Sequence, residues 1–291
     1  MRGSVKHGLR QLQSARTPTA LVIHPLLPHA PRMNPFDFRA WAGLIVCLLS
    51  MSAADVARAE IIAVDDFEYD TATIRGGHGG TGWAGAWTGG NLIVHGSLAF
   101  PDFDAKGNHL ITLGDTKGGS DALKCSLRTP DGRGRDHLTV EGKFGKPGTT
   151  LWVAFLGSVP RGWTIRGAFA GVSLRDGGRE QLFLGDCGST NLWGFERAGE
   201  SQRFSTVRAD TNVTFLVYKV RFLPRSAQVE MWVNPKPGPN DPPAADIVAA
   251  EVVREFRYSS VRICSAPAPF EVDALRLGTT YADVAPVVKK L

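Results

Sequence analysis

VDDFEYDTATIRGGHGGTGWAGAWTGG, residues 64–90, is the stretch on which the fold reading turns. An apolar run over residues 61–67 leads into a segment, residues 76–90, with eight glycines in fifteen positions and two tryptophans, Trp83 and Trp87. Glycine-rich loops can cradle phosphate, but only between a strand and a helix whose N-terminus faces the anion. A strand-like run, not a helical period, follows Gly90. The glycines therefore read as a long loop that needs positive φ and close backbone approach, with the two tryptophans pinning it onto β-structure.

Downstream, short apolar or alternating runs recur, split by Gly, Pro, Asp and Asn, which is the pattern of an all-β sandwich or barrel. Strands are expected over residues 61–67, 91–100, 109–113, 122–128, 137–144, 150–156, 168–175, 180–184, 192–197, 213–223, 227–233, 258–263 and 270–277. In the run 213–223, Leu216, Tyr218, Val220 and Phe222 alternate with Lys219 and Arg221, so one face is core and the other wet. The run 150–156 is apolar on both faces, as a central strand would be. Residues 234–244 (NPKPGPNDPPA) form a proline-rich loop within the domain, because strands resume after it.

Upstream, residues 1–32 have no usable periodicity. From Met33 the plan of a secretory signal peptide follows: a short n-region with Arg39, the apolar run AWAGLIVCLLSM (40–51), then Ala57-Arg58-Ala59 as an A-x-A site. The run is shorter than the roughly 20 apolar residues that cross a bilayer comfortably. Residues 1–59 are thus expected to be leader, with the true start at Met33 and cleavage after Ala59, and residues 60–291 the folded domain. A secreted, periplasmic or cell-surface location follows, with no membrane span in the mature chain.

The leader also explains the charge. It holds seven basic and two acidic residues, so the remainder has 26 of each and the formal +5 belongs to the leader. No electrostatic case remains for nucleic acid or for an anionic membrane. Export permits disulfides, yet Cys125, Cys187 and Cys264 are three, so at most one intrachain pair can form and the pairing stays open. No Cys/His cluster of the zinc type is present.

The combination of Asp66-Phe67-Glu68-Tyr69, GGTGWAGAW (79–87) and the closing VDALRLGT (272–279) resembles the concanavalin A-like lectin/glucanase superfamily, and more narrowly the LamG-like jelly-roll domains of exported bacterial proteins. That resemblance covers the whole mature region. It implies an all-β, two-sheet antiparallel jelly-roll sandwich, with the chain ends adjacent in one sheet and a concave face that binds glycans. The β-glucan-cleaving members carry a Glu-x-Asp-x-x-Glu run on one strand, which alternation places on one face for nucleophile and acid. This chain has no such run; Glu271-Val-Asp273-Ala-Leu-Arg276 ends in Arg instead. The resemblance further implies one structural calcium, for which Asp65, Asp66 and Asp273 are the expected hard oxygen ligands.

Three functional readings result. The first is an exported carbohydrate-binding or adhesion module that takes a polysaccharide or glycan on Trp232, Trp193 and Arg197. Trp232 is placed facing solvent because it alternates with Val229, Met231 and Val233 on the other side. The second is a glycoside hydrolase or polysaccharide lyase with dispersed catalytic residues, Glu141 and Glu196 being the carboxylates to test. The third is a structural cell-surface domain without a small ligand. No catalytic residue is assigned.

Overall fold

In a computed structural model the protein is described over residues 59–114, 125–163, 167–188 and 190–288, apart from the side chains of 249–252. The expected leader lies outside the described residues but for Ala59, as do residues 122–124 of one expected strand. Everything described belongs to one unit spanning Asp55–Leu291.

The expected strands of high alternation form the body of the fold. In chain order they are β1 (Ile61–Asp65), β2 (Leu92–Val94), β3 (His109–Ile111), β4 (Ser126–Arg128), β5 (Thr150–Ser158), β6 (Phe169–Asp176) and β7 (Arg179–Asp186). β8 (Leu192–Arg197), β9 (Arg203–Arg208), β10 (Thr214–Phe222), β11 (Ser226–Val233), β12 (Ile247–Arg254), β13 (Ser260–Ala266) and β14 (Glu271–Gly278) follow, before a single helical turn α1 (Tyr281–Val284). Two antiparallel sheets result. One has eight strands in the order β12-β11-β10-β5-β14-β3-β2, with β1 also on β14; the other has six in the order β4-β13-β6-β7-β8-β9. β14 pairs with β3 through Glu271 and Val272 and with β1 through Leu275 to Gly278, so the first and last strands are neighbours as expected.

Between the sheets lies the main core. β10 sends Leu216, Tyr218, Val220 and Phe222 into it, and β5 sends Leu151, Val153 and Phe155. The opposite face of the eight-stranded sheet is apolar as well, with Trp152, Ala154, Leu156, Phe215 and Val217. It has a lid of its own. α1, opened by a Thr280/Asp283 capping box, packs Tyr281 on Trp152 at 5.5 Å between ring centroids, and Phe103 packs on Phe215 at 4.8 Å. The C-terminal helical turn and the loop after β2 therefore close this face.

Two strands escaped the sequence reading: β9, whose alternation RFSTVR is mostly polar, and β12, which begins beyond the proline-rich loop. One expected strand, residues 137–144, is not a strand. A 3-10 turn over Arg135–His137 starts the segment, and Thr139 then closes a tight turn, its N–H donating to Lys143 O at 2.8 Å while Gly142 N–H donates to Thr139 O at 3.0 Å. Val140 at the tip is fully exposed, so the apolar residue that suggested alternation buries nothing.

The glycine-rich segment behaves as a loop laid along β1. Val64 and Thr81 exchange both backbone hydrogen bonds, at 2.8 and 2.9 Å. Gly82 has φ +82°, and a Cβ there would stand 1.9 Å from Ile62 O, so only glycine lets the loop lie this close. Trp83 Nε1 donates to Val64 O at 2.9 Å, and Trp87 Nε1 to Asp65 Oδ2 at 2.7 Å. Asp65 also accepts from Phe67 N (2.9 Å), Tyr69 Oη (2.7 Å) and Arg128 Nη1 (2.7 Å). Arg128 belongs to β4 in the other sheet; its Nε donates to Gly85 O at 2.6 Å, and its guanidinium lies 5.2 Å from the Trp83 ring. Both side chains of this ion pair are almost wholly buried. Burial pushes the Asp65 carboxyl up from its ordinary range, and the four donors oppose that rise.

Removing one member of such a pair leaves a buried, uncompensated charge. Arg128→Met is expected to lower unfolding free energy by about 3–5 kcal/mol, read as a fall in the urea midpoint at unchanged m-value.

Candidate functional site

The outer face of the eight-stranded sheet is covered by the chain's own C-terminal segment; the outer face of the six-stranded sheet has a buried centre, including Ser173, Phe183 and Cys264, with partly exposed polar side chains at its margins. Alternation decides what it displays. On β13, Val261 and Ile263 point into the core while Arg262 and Cys264 point out; on β6, Val172 and Leu174 point in while Gly171, Ser173 and Arg175 point out. Across the strands the register sets up one outward row, Leu127, Arg262, Ser173, Phe183 and Glu196, from β4 to β8. The adjacent row is Cys264, Gly171, Gly185, Gly194 and Phe204.

The three central glycines of that second row are demanded by the backbone. A Cβ on Gly171 would stand 2.1 Å from Leu184 O, and one on Gly185, at φ +143°, 2.2 Å from Ala170 O. Without side chains there, Phe169 and Phe183 meet edge to face with ring centroids 5.8 Å apart. Cys125, Cys187 and Cys264 gather around Phe183 in a small apolar cluster.

Beside this apolar patch runs a set of hydrogen-bonding groups. Arg262 donates through Nη2 to Glu180 Oε2 at 2.7 Å and through Nε to Ser173 Oγ at 3.2 Å. Arg175 approaches the same Glu180 oxygen from 4.0 Å. On the β8 side, Gln202 Nε2 donates to Glu196 Oε2 at 2.8 Å and to Cys187 O at 2.9 Å. Arg262, Glu180, Glu196 and Gln202 are partly exposed, so each keeps polar atoms toward solvent. Glu196 was legible as a candidate carboxylate. Arg262, Glu180 and Gln202 were not singled out, although the VRIC alternation of β13 already separates Arg262 from the core-facing Val261 and Ile263.

The residues expected to bind sugar stand elsewhere. Trp193 is 0% exposed and faces the core, its Nε1 donating to Thr214 Oγ1 at 3.2 Å. Trp232 does point out of the eight-stranded sheet, as alternation indicated. It is nevertheless covered: it stacks on Trp152 at 5.3 Å and donates Nε1 to Pro243 O at 2.7 Å, under the proline-rich loop. Neither ring offers a free face for a sugar. Arg197 sits opposite Leu182 on the inward side and lies 5.5 Å from the Phe256 ring. Glu141 occupies the exposed turn described above and does not share a strand face with Glu196. Among the described residues the exposed tryptophan is Trp163, 55% accessible, in the turn after β5.

Nor do the three aspartates fit a calcium ion, which needs six to eight oxygen ligands. Asp65 is surrounded by N–H and O–H donors and paired with Arg128. Asp66 accepts from Arg276 Nη2 at 2.8 Å. Asp273 accepts from Leu98 N at 2.8 Å and Ala274 N at 2.6 Å. Asp66 and Asp273 are close enough to repel one another, yet among the described residues no three His, Cys, Asp or Glu side chains gather as a metal site.

One buried acid was not anticipated. Asp186, at the end of β7, is 0% exposed; Oδ1 accepts from Gly188 N at 2.9 Å, and Oδ2 has no hydrogen-bond partner. Burial pushes its carboxyl up to about 6.

Fold and face together define a two-sheet antiparallel β-sandwich. No protein-family model and no curated protein matches the chain. Among solved structures it is similar to one of botulinum neurotoxin type C, described for cell entry dependent upon interaction with two ganglioside molecules: 8% identity, TM-score 0.47, over 82% of this chain and 50% of that one. It is likewise similar to the binding domain of botulinum neurotoxin DC in complex with SialylT, at 8% identity and TM-score 0.45, over 79% of this chain and 48% of that one. The cellulose induced protein Cip1 matches at 12% identity and TM-score 0.43, over 75% of this chain and 97% of that one. The chain thus spans about half the length of the toxin structures.

Because Asp186 titrates at a raised pH in the folded state, its contribution to stability is complete below the ordinary aspartate range near 4 and declines as pH rises to about 6. Asp186→Asn is expected to abolish that decline. Urea midpoints taken at pH 4 and pH 7.5 should show the wild type losing about 3 kcal/mol relative to the variant.

Proposed function

We propose that this chain is an exported carbohydrate-binding module that takes a glycan along the outer face of the six-stranded sheet. The observation that carries the reading is the outward row itself: Arg262 with Glu180, and Glu196 with Gln202, set on either side of Phe183. Guanidinium, carboxylate and carboxamide groups are planar and can engage two adjacent hydroxyls at once, as donors, acceptors or both. The C–H face of a pyranose packs on an aromatic edge, and the half-buried Phe169 ring supplies such an edge next to those groups, with the buried Phe183 behind it.

Strand geometry suits the same ligand. Side chains of one row stand roughly 4.8 Å apart from strand to strand, so the partly exposed Arg262 and Glu196 flank the buried Ser173 and Phe183 as two polar margins, about 14 Å apart. The hydrogen bonds already made within the row hold Arg262 and Glu196 in place, which lowers the conformational entropy lost on binding. No second reading is favoured: Glu180 and Glu196 are engaged by Arg262 and Gln202, and among the described residues no nucleophile–base arrangement accompanies them.

Retention on a panel of insoluble polysaccharides, followed by a glycan array, is the test. Binding to at least one class of glycan is expected, and Arg262→Ala or Glu196→Gln should each weaken it by about tenfold or more, as the loss of a hydrogen bond to a charged group implies. The melting temperature should stay close to that of the wild type. A correctly folded protein retained by no glycan would remove this reading.

A further inference from the structure

The cysteine cluster on the same sheet distinguishes between pairings that the sequence left open. β13 and β4 pair antiparallel in the register Val261–Arg128, Arg262–Leu127 and Ile263–Ser126. One step further along this ladder sets Cys264 opposite Cys125. Directly opposed residues on antiparallel neighbours have Cα atoms about 4.5–5.5 Å apart, inside the range of about 4.4–6.8 Å that a disulfide spans. The two thiols already meet, the Cys125 side chain hydrogen-bonding with that of Cys264, and both are buried. On its other side Cys264 faces Gly171, so no side chain stands in that row on β6.

Cys187 is the third member of the cluster but is placed differently. It follows β7, and β6 lies between β7 and β13. Two strand spacings separate it from Cys264 by roughly 10 Å, beyond the reach of a disulfide without moving the backbone.

We infer that Cys125 and Cys264 form the disulfide of the mature protein, with Cys187 remaining a thiol. The reaction breaks two S–H bonds and makes one S–S bond. Two electrons and two protons pass to a disulfide-form oxidant, such as a dithiol oxidase or glutathione disulfide, which leaves as two thiols. The mutual hydrogen bond with Cys125, and then burial, raise the Cys264 thiol well above its ordinary range, so the folded, reduced pair reacts slowly and the bond forms during folding. Its mechanical role follows from position. β4 is a three-residue edge strand, and it carries Arg128 three residues after Cys125; the cross-link anchors that strand to β13. This inference does not depend on the sugar-binding reading.

The full chain is secreted into an oxidising compartment, and a parallel sample is refolded in a glutathione redox buffer. Both are unfolded in the presence of an alkylating agent, digested and mapped by mass spectrometry. The expected product is a Cys125–Cys264 linked peptide, two hydrogens lighter than its separate halves, with Cys187 alkylated. Reduction should lower the melting temperature by roughly 5–15 °C, and the Cys125→Ser/Cys264→Ser double variant should be insensitive to reductant. Full alkylation of Cys125, Cys187 and Cys264 after oxidative refolding would overturn the assignment. So would linkage of Cys125 or Cys264 to any other cysteine.

Discussion

The ion pair between Asp65 and Arg128 is the contact on which the other parts of the sandwich converge. Asp65 ends the first strand of the eight-stranded sheet, and Arg128 ends the edge strand of the six-stranded sheet. The pair therefore ties the two layers together at one corner. Around it, Tyr69, Trp83, Trp87 and the carbonyl oxygens of Gly79 and Gly85 are all held by one or other charged group. An isolated buried charge would be costly, so each of these groups is required by its neighbours. The long glycine-rich segment, which has no helix or ladder of its own, is ordered because its carbonyls and indoles complete this set.

That corner also bears on which face of the molecule is covered. β1 and β14 occupy the eight-stranded sheet, and the chain leaving β14 turns at once into α1, whose Tyr281 lies on Trp152. The loop between β2 and β3 adds Phe103 over Phe215. An apolar outer surface on a large sheet is thereby buried under local structure, and the six-stranded sheet keeps the polar row. Under the proposed glycan-binding reading, recognition would fall to the partly exposed side chains at the margins of that row, since the inward positions are committed to packing.

How much of this was legible in the residues follows from the range of each physical signal. Alternation is local, and it located β5, β10 and β14 and the core-facing side of β10; the loop reading of residues 76–90 and the adjacency of the chain ends also hold. Cover is not local. Trp232 was correctly sided, but nothing within its own strand says that the proline-rich loop returns to accept its N–H. Trp193 shares an inward face with Phe195, and the aromatic content of that face was its only sign of burial. Asp65, Asp66 and Asp273 read as cation ligands because carboxylates attract cations; that their partners would be Arg128, Arg276 and backbone N–H groups depends on contacts between residues more than fifty positions apart. Arg262 was visible to the same alternation that sided Trp232, but an arginine on a wet face looks like many others until its partner Glu180 is placed.

The glycine row under the Phe169–Phe183 pair has a consequence for how this protein could be re-engineered. Backbone opposes backbone at the buried Gly171 and Gly185, so the shape of the sheet there is set by the main chain and tolerates no side chain. Residues bordering it, such as Arg262, Glu180, Glu196 and Gln202, contribute little to the inter-sheet core. A combinatorial library confined to those border positions would vary recognition on a floor of constant shape, much as a display scaffold does.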